Sequence, residues 1–584
     1  MNRSWKGIAL AVLMLATAPA LVAAERCGCD PDVYHPVTIS FFPPISTSRC
    51  HAPHVRTNFA LNIVGGYAGT LEGIEIGTLF NVLACDATGL MLAGGYNRAG
   101  GDFAGLQLGM LNCVGGETRG VQLGAFNRSV GPQRLAQLGV GNLGHSCAAI
   151  QLGAFNAACG NTVFQLGAVD LCGRSAGFQL GGFNLTRGCV MTAQLGAVNG
   201  AGGHVPVQLG AANIAGGNTG LVLGGVNVGG GNNYVALGGV NLYHGSSAFQ
   251  LGAVNVAALD REVSHIGMLD KWHRVWAGFQ LGGFNLAGGK VITAQVGGIN
   301  LAGRKAPVQL GAVNGCGGKT FLTIGGINLG GGRNVIGLGG MNIVKGRSAF
   351  QLGGVNVAGG MKKHCNPYGL IRQYRQKYSG VQIGGFNIAG GSVGLQLGAV
   401  NVASTARWFQ LGAFNFARES DIPVGPLSVI LNGQFRVQAF GSEAGLGHVE
   451  FKTGGRTFYN ILGVGYHPLD TARIMLGYGL GLHFPCGWEN LFVDADIVGY
   501  RVNPMDDMMN LDGMSYLAKL RATAGWEIAP PFSIIGGLAV NGWISDTETG
   551  EDIPYLPIPM LTIEGDTNIS IWPGVSLGFE VRAW

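Results

Sequence analysis

A single hexapeptide recurs along most of this chain at a nearly fixed interval, and that interval limits what the chain can fold into. Gln-Leu-Gly-Ala-Phe-Asn occurs at Gln122–Asn127, Gln151–Asn156 and Gln410–Asn415. Gln-Leu-Gly-Gly-Phe-Asn occurs at Gln179–Asn184 and Gln280–Asn285, with close variants beginning at Gln194, Gln250, Gln309, Gln351 and Gln396. The closing position, Asn everywhere except Asp170 and Asp270, returns at nearly every step after 14 or 15 residues between Asn81 and Asn415. The step from Asn356 to Asn387 is 31 residues, so one unit there is degenerate or opened into a loop. Twenty-three units are recognisable. A repeat of this kind is one supersecondary element that buries its surface only against its neighbours.

As one continuous strand, residues 249–256 have mixed faces. A corner at Gly252-Ala253 resolves them into two short alternating strands. The expectation is that Phe249, Leu251, Val254 and Val256 point inward, with Gln250 and Asn255 outward. Glycines at the corner and after the second strand supply the turns of a narrow β-solenoid. At about 4.8 Å per coil, about two dozen coils extend on the order of 115 Å. The Gln and Asn residues would stack as amide ladders, structural in the first place and a glycan- or ice-binding face in the second. On this reading Leu251→Asp unfolds its surroundings and Gln250→Ser is mild. The rival architecture, a large meander closed as a membrane barrel, suits the period but not the mixed faces.

The iterated QLGxxN unit with its small-residue turn resembles the leptospiral-type surface-repeat proteins over about residues 57–417. The resemblance implies an exported protein of the bacterial envelope, without an assigned activity, and it brings no site residues with it.

Outside the repeat, residues 1–24 read as a cleaved signal peptide. Arg3 and Lys6 precede an apolar run, and Val22-Ala23-Ala24 suits cleavage before Glu25. Residues 25–56 form a cap or linker. No later apolar run is long enough for a membrane helix. From 418 to 584 about eight longer alternating segments follow, near 427–440, 445–453, 457–467, 473–484, 489–501, 515–529, 532–544 and 572–584. Leu491, Val493, Ala495 and Ile497 oppose Asp494 and Asp496, while Leu520 and Trp526 oppose Lys519 and Arg521. Apolar outsides and mixed charges inside suit a small outer-membrane barrel, which this region resembles. Trp584 is out of phase with the apolar residues Val575, Leu577, Phe579 and Val581. The fold class expected is all-β: a long narrow solenoid of 14–15-residue repeats over 57–417, then an antiparallel barrel of about eight strands over 418–584. With an even strand number both barrel termini share one side, so the repeat is periplasmic and the acidic stretches 506–512 and 546–552 are external.

Chemistry is sparse. Charged residues make up 11% of the chain and Gly 105 of its 584 residues. The net charge of +5 does not argue for nucleic acid. Gly173-Arg174-Ser175-Ala176-Gly177 matches a hydrolase elbow, which needs a helix after it that the repeat does not offer. His265, Asp270 and His273 lie among Trp272 and Trp276, a setting for a packed aromatic loop more than for a metal. No catalytic residue, cofactor site, metal site or small-molecule substrate is expected. Of the twelve cysteines, Cys159 and Cys172 fall one coil apart and are candidates for a disulfide. Lys362, Lys363, Arg372, Arg375 and Lys377, in the long insert with His364, are candidates for contact with an anionic envelope polysaccharide. The expected function is that of a non-enzymatic envelope protein, structural or adhesive, whose barrel contacts outer-membrane lipid. The alternative is a glycan- or polymer-binding module with a soluble C-terminal domain.

Overall fold

The computed structural model describes residues 32–258, 276–359, 378–468, 472–488, 490–505, 515–546, 553 and 558–583. The fold is all-β, a solenoid over residues 56–430 and a closed antiparallel barrel of eight strands. Two compact units divide the chain, 1–282 and 283–584.

In the first unit most coils contribute two short strands that pair in parallel with their counterparts one repeat away. Gln151 lies on Gln165 and Asn156 on Asp170. Some coils bend as a single strand around the corner, as Thr162–Cys172 and Ala176–Thr186 do. This parallel stacking rules out the meander. Coiling starts before residue 57, because Val33–Phe42 is already laid parallel to Val55–Asn62. Gln280 donates to Gln250 at 2.7 Å, so these two coils are adjacent. The step through Asp270 thus separates two coils that pair directly; Asp270, His265 and His273 lie outside the described residues.

The polarity of the coil is the reverse of the expected one. Gln250 and Asn255 are fully buried, and Leu251 is 41% exposed. Phe249 and Val254 are half-buried on the outside, and of the four residues expected inside only Val256 is buried. Alternation dictates that Gln250 and Leu251 face opposite ways, but it leaves open which of them is inside. The corner carbonyls decide. They turn toward the coil, where a side-chain amide adds a second donor to the one backbone N–H that reaches each, as Gly139 N reaches Leu152 O at 2.9 Å. Asn142 Nδ2 donates to Leu152 O at 2.9 Å and to Asn156 Oδ1 at 2.7 Å. Leucine in its place would remove that second donor from Leu152 O and take the donor from Asn156 Oδ1, at a cost of about 1–3 kcal/mol per coil.

The inside has two zones. Next to the corner it holds one Gln and one Asn per coil. Next to the opposite turn it holds small apolar residues, as in the cluster of Cys172, Ala176, Val190, Ala201, Val205 and Ala215. The outside carries stacked apolar side chains, including Phe164 on Phe178 with ring centroids 5.5 Å apart.

The second unit opens with coils of the same kind. The coil ending at Ala358 pairs directly with Phe386–Leu397, so the step of 31 residues from Asn356 to Asn387 is an insertion, opened between adjacent coils. The last coil closes with Leu427–Ile430, beyond the expected end at 417. The barrel strands are β1 (Gln434–Ser442), β2 (Gly445–Gly454), β3 (Phe458–His467), β4 (Arg473–Pro485), β5 (Leu491–Pro504), β6 (Ser515–Ala529), β7 (Phe532–Ser545) and β8 (Asn568–Arg582). Pairing of β1 with β8 closes it. A short extra strand, Leu561–Ile563, pairs on β8. Asn460 of β3 ties barrel to coil: it receives Gly425 N at 2.8 Å and donates to Pro423 O at 2.5 Å.

Candidate functional site

The amide columns are the first chemically distinctive feature. In the second unit Asn300 donates forward to Asn314 at 2.9 Å, whereas Gln309 donates backward to Gln295 at 2.8 Å. The two columns therefore run in opposite directions and their dipoles oppose one another. Each Asn also caps a corner carbonyl, as Asn300 does with Leu310 O at 2.8 Å. Because they are sealed inside, these amides offer no face to a glycan or to ice.

Two carboxylates interrupt the columns in the first unit. Glu75 occupies a Gln position, in register with Met91 and then Gln107. It accepts from Asn62 at 2.8 Å, and burial pushes its carboxyl up to about 7. Asp170 occupies an Asn position and accepts from Asn156 at 2.7 Å. As a carboxylate it cannot donate to the next rung, so Asp170 Oδ2 and Asn184 Oδ1 are both buried without a partner. Burial pushes the Asp170 carboxyl up to about 6, from 3.8. The folded chain thus binds this proton more tightly than the unfolded chain. Its stabilising effect is complete below the unfolded value of 3.8 and is lost as pH rises through about 6. At 1.36 kcal/mol per unit the loss is about 3 kcal/mol. Asp170→Asn restores the missing donor, so this variant should be more stable than the parent at pH 8 and nearly equal to it at pH 4. Hydrogen exchange of the amides of residues 162–186 at the two pH values checks this.

The turn opposite the corner is the polar edge. In the first unit its side chains accept from the next coil: Asp86 Oδ1 from Asp102 N at 2.7 Å, and Asn218 Oδ1 from Asn232 N at 2.8 Å. In the second unit the same place holds Lys290, Lys305, Lys319, Arg333 and Arg347, which have no acceptor to offer. Backbone bonds from Val291 N to Lys305 O (2.6 Å) and from Thr320 N to Arg333 O (2.8 Å) keep them in register.

The barrel interior holds the largest cluster of charge. Arg436, Lys452, Lys519 and Arg521 are buried with Glu450, Asp494, Asp496 and Glu580. Arg436 bonds Asp494 at 2.8 Å and Glu580 at 3.0 Å. Lys452 lies 3.0 Å from both Asp494 and Asp496. Arg521 reaches Glu450 at 2.5 Å and Asp496 at 2.8 Å. Tyr459 donates to Asp496 and Tyr500 to Glu450 in short bonds. With Trp543 and Trp572 also buried, side chains fill the interior, as expected for eight strands. Outside, Leu520, Trp526, Leu538, Leu577 and Phe579 are all more than 60% exposed.

The residues singled out by sequence have mixed fates. Asp494, Asp496, Lys519 and Arg521 do point inward, and Val575, Leu577 and Phe579 outward; Trp584 lies outside the described residues. Cys159 and Cys172 are free thiols. Cys172 pairs in register with Ala158, one position from Cys159, so it faces the interior while Cys159 is exposed in the turn. Lys362, Lys363, Arg372, Arg375 and Lys377 lie outside the described residues, as do 506–512 and most of 546–552. Ser175 of the elbow-like motif is followed by the strand Ala176–Thr186, where a hydrolase elbow has a helix. Among the described residues no group of three or more His, Cys, Asp or Glu is placed to hold a metal ion. Sequence reasoning missed Glu450, Lys452, Arg436 and Glu580, and it missed the cationic column. The column's period matched that of the repeat and was legible. No family model, curated protein or solved structure matches the chain.

Proposed function

We propose that this is a non-enzymatic protein of the bacterial envelope, structural or adhesive, anchored in the outer membrane by its C-terminal barrel. One observation carries the reading: the barrel's outer wall is apolar, while its interior holds paired charges beside an apolar cluster that includes Ile461, Met475, Leu517, Trp543 and Trp572. A soluble barrel turns its polar side chains to water, whereas here charges are paired in the interior and Leu538, Leu577 and Phe579 face out. The resemblance to surface-repeat proteins supports an envelope location as well.

Loop lengths support a periplasmic solenoid. At the barrel end where the last coil enters, the connections are residues 455–457, 486–490 and 530–531. At the other end two connections are long, 505–514 and 546–567. Outer-membrane barrels keep short turns and both termini in the periplasm. The intact protein should fractionate with the outer membrane and migrate faster unboiled than boiled. Protease added to intact cells should spare the repeat and should digest it once the outer membrane is permeabilised. A soluble chain without heat-modifiable migration would favour the polymer-binding alternative.

A further inference from the structure

We propose that the coils of the second unit, residues 284–358, bind the surface of an anionic bilayer edge-on. Their glycine corner and both outer faces lie among acyl chains, and the cationic column lies at the lipid phosphates. This inference rests on the membrane reading of the barrel for its placement, and the two can fail separately.

The distribution of side chains comes first. Ile292, Ile299, Phe321, Ile324, Ile327, Leu329 and Leu352 are between 39% and 56% exposed on these few coils. So many exposed apolar side chains on both faces of a few coils are unusual on a protein that meets only water. The charged side chains of the segment, Lys290, Arg304, Lys305, Lys319, Arg333, Lys345 and Arg347, all sit on the one polar edge. The faces and the corner carry none. An apolar body with one row of Lys and Arg is the pattern of elements that lie in a membrane interface.

The charge balance comes second. No Asp or Glu occurs from residue 271 to residue 418. Five cations stacked at about 4.8 Å repel one another unless anions come from elsewhere. A row of lipid phosphates supplies them and draws such basic edges to anionic membranes.

The backbone comes third. Lipid tolerates only polypeptide whose polar groups are paired internally. At the corner Gly311 N donates to Ile324 O and Val313 N to Gly298 O, both at 3.0 Å, and Asn300 covers Leu310 O. The buried amides thus make the apolar edge dry. Strand Ala306–Leu310, about 17 Å of extended chain, matches roughly half of a 30 Å hydrocarbon core.

Continuity with the barrel comes last. The corners of the final coils and the barrel's outer wall enclose an open groove of about 590 Å³, lined by Leu397, Leu411, Val424, Pro426 and Tyr478. It is almost wholly apolar and opens on the barrel face that the proposed anchoring puts in lipid. An acyl chain fits its chemistry.

The test uses the full-length protein reconstituted in vesicles that carry a photoactivatable lipid. One vesicle type is phosphatidylcholine alone and the other also contains phosphatidylglycerol. The variant replaces Lys290, Lys305, Lys319, Arg333 and Arg347 together by Gln, with unboiled migration as the control for folding. In phosphatidylglycerol vesicles, peptides from 284–358 should carry lipid label. Labelling should fall several-fold in phosphatidylcholine or in the variant. Barrel peptides should be labelled throughout. Coils that stay unlabelled beside a labelled barrel overturn the inference, and so does a coil surface that binds soluble dextran sulfate but takes no lipid label. Labelled coils beside an unlabelled barrel support it and overturn the anchoring.

Discussion

Asn241→Leu should destabilise its part of the solenoid by about 3–5 kcal/mol, whereas Leu251→Asp should cost less than about 1 kcal/mol. Asn241 accepts from Asn227 at 2.8 Å and donates to Asn255 at 2.9 Å and to Leu251 O at 3.0 Å. Leucine there removes the side-chain donor to Leu251 O and Asn255 Oδ1, and leaves the Asn227 amide with Leu237 O alone. Leu251 is 41% exposed, so an Asp at that site keeps its hydration. Gln250→Ser should fall between the two. Among the described residues the Gln column tolerates Met91, Val222, Ala236, Thr323 and Gly337, whereas between Asn81 and Asn415 the Asn column admits only Asp170. Hydrogen exchange over residues 233–257 gives the order. An order led by Leu251→Asp would mean that the apolar residues are the core.

That same contrast shows what the sequence made legible. The period, the corner at Gly252 and the alternation on either side of it follow from Gly placement and strand geometry, and they predicted two strands per coil correctly. The polarity did not follow, because ordinary hydrophobic reasoning puts Leu251 inside. A finer sign was present among the repeats themselves. The position before the closing Asn varies through Phe126, Gly141, Val169, Ala212 and Met341, a range of volumes no stacked interior could hold in register. The Asn position scarcely varies. The near-invariance of the closing Asn marks that position as the inside, and the size tolerance of its neighbour marks the outside.

The barrel was more legible, because strands of 9 to 15 residues give alternation room to show. Asp494 and Asp496 opposite Ala495 and Ile497 suffice to set a polar interior. Their partners could not be read from sequence. Arg436 and Glu580 are 144 residues apart and meet only because β1 closes on β8.

The second large effect concerns that interior. Arg521→Leu should cost about 3–5 kcal/mol, because it leaves Glu450 with no cation in a filled interior and takes one of two cations from Asp496. The chain should then fail to give the fast-migrating folded form, or give it only at lower urea. Adding Glu450→Leu should recover much of the loss, since Asp496 keeps Lys452 at 3.0 Å. A wild-type urea midpoint for Arg521→Leu alone would mean that the guanidinium is hydrated and the interior open.

The amide core can be observed directly through the side-chain protons of its Gln and Asn residues. In protein labelled with ¹⁵N at these two residue types and transferred to heavy water, the NH2 groups of the columns should stay protonated long after surface amides have exchanged. Side-chain correlations should link rungs such as Gln137 with Gln151. Exchange of all the side-chain amides at the rate of free ones would place Gln and Asn on the outside and contradict this account of the solenoid.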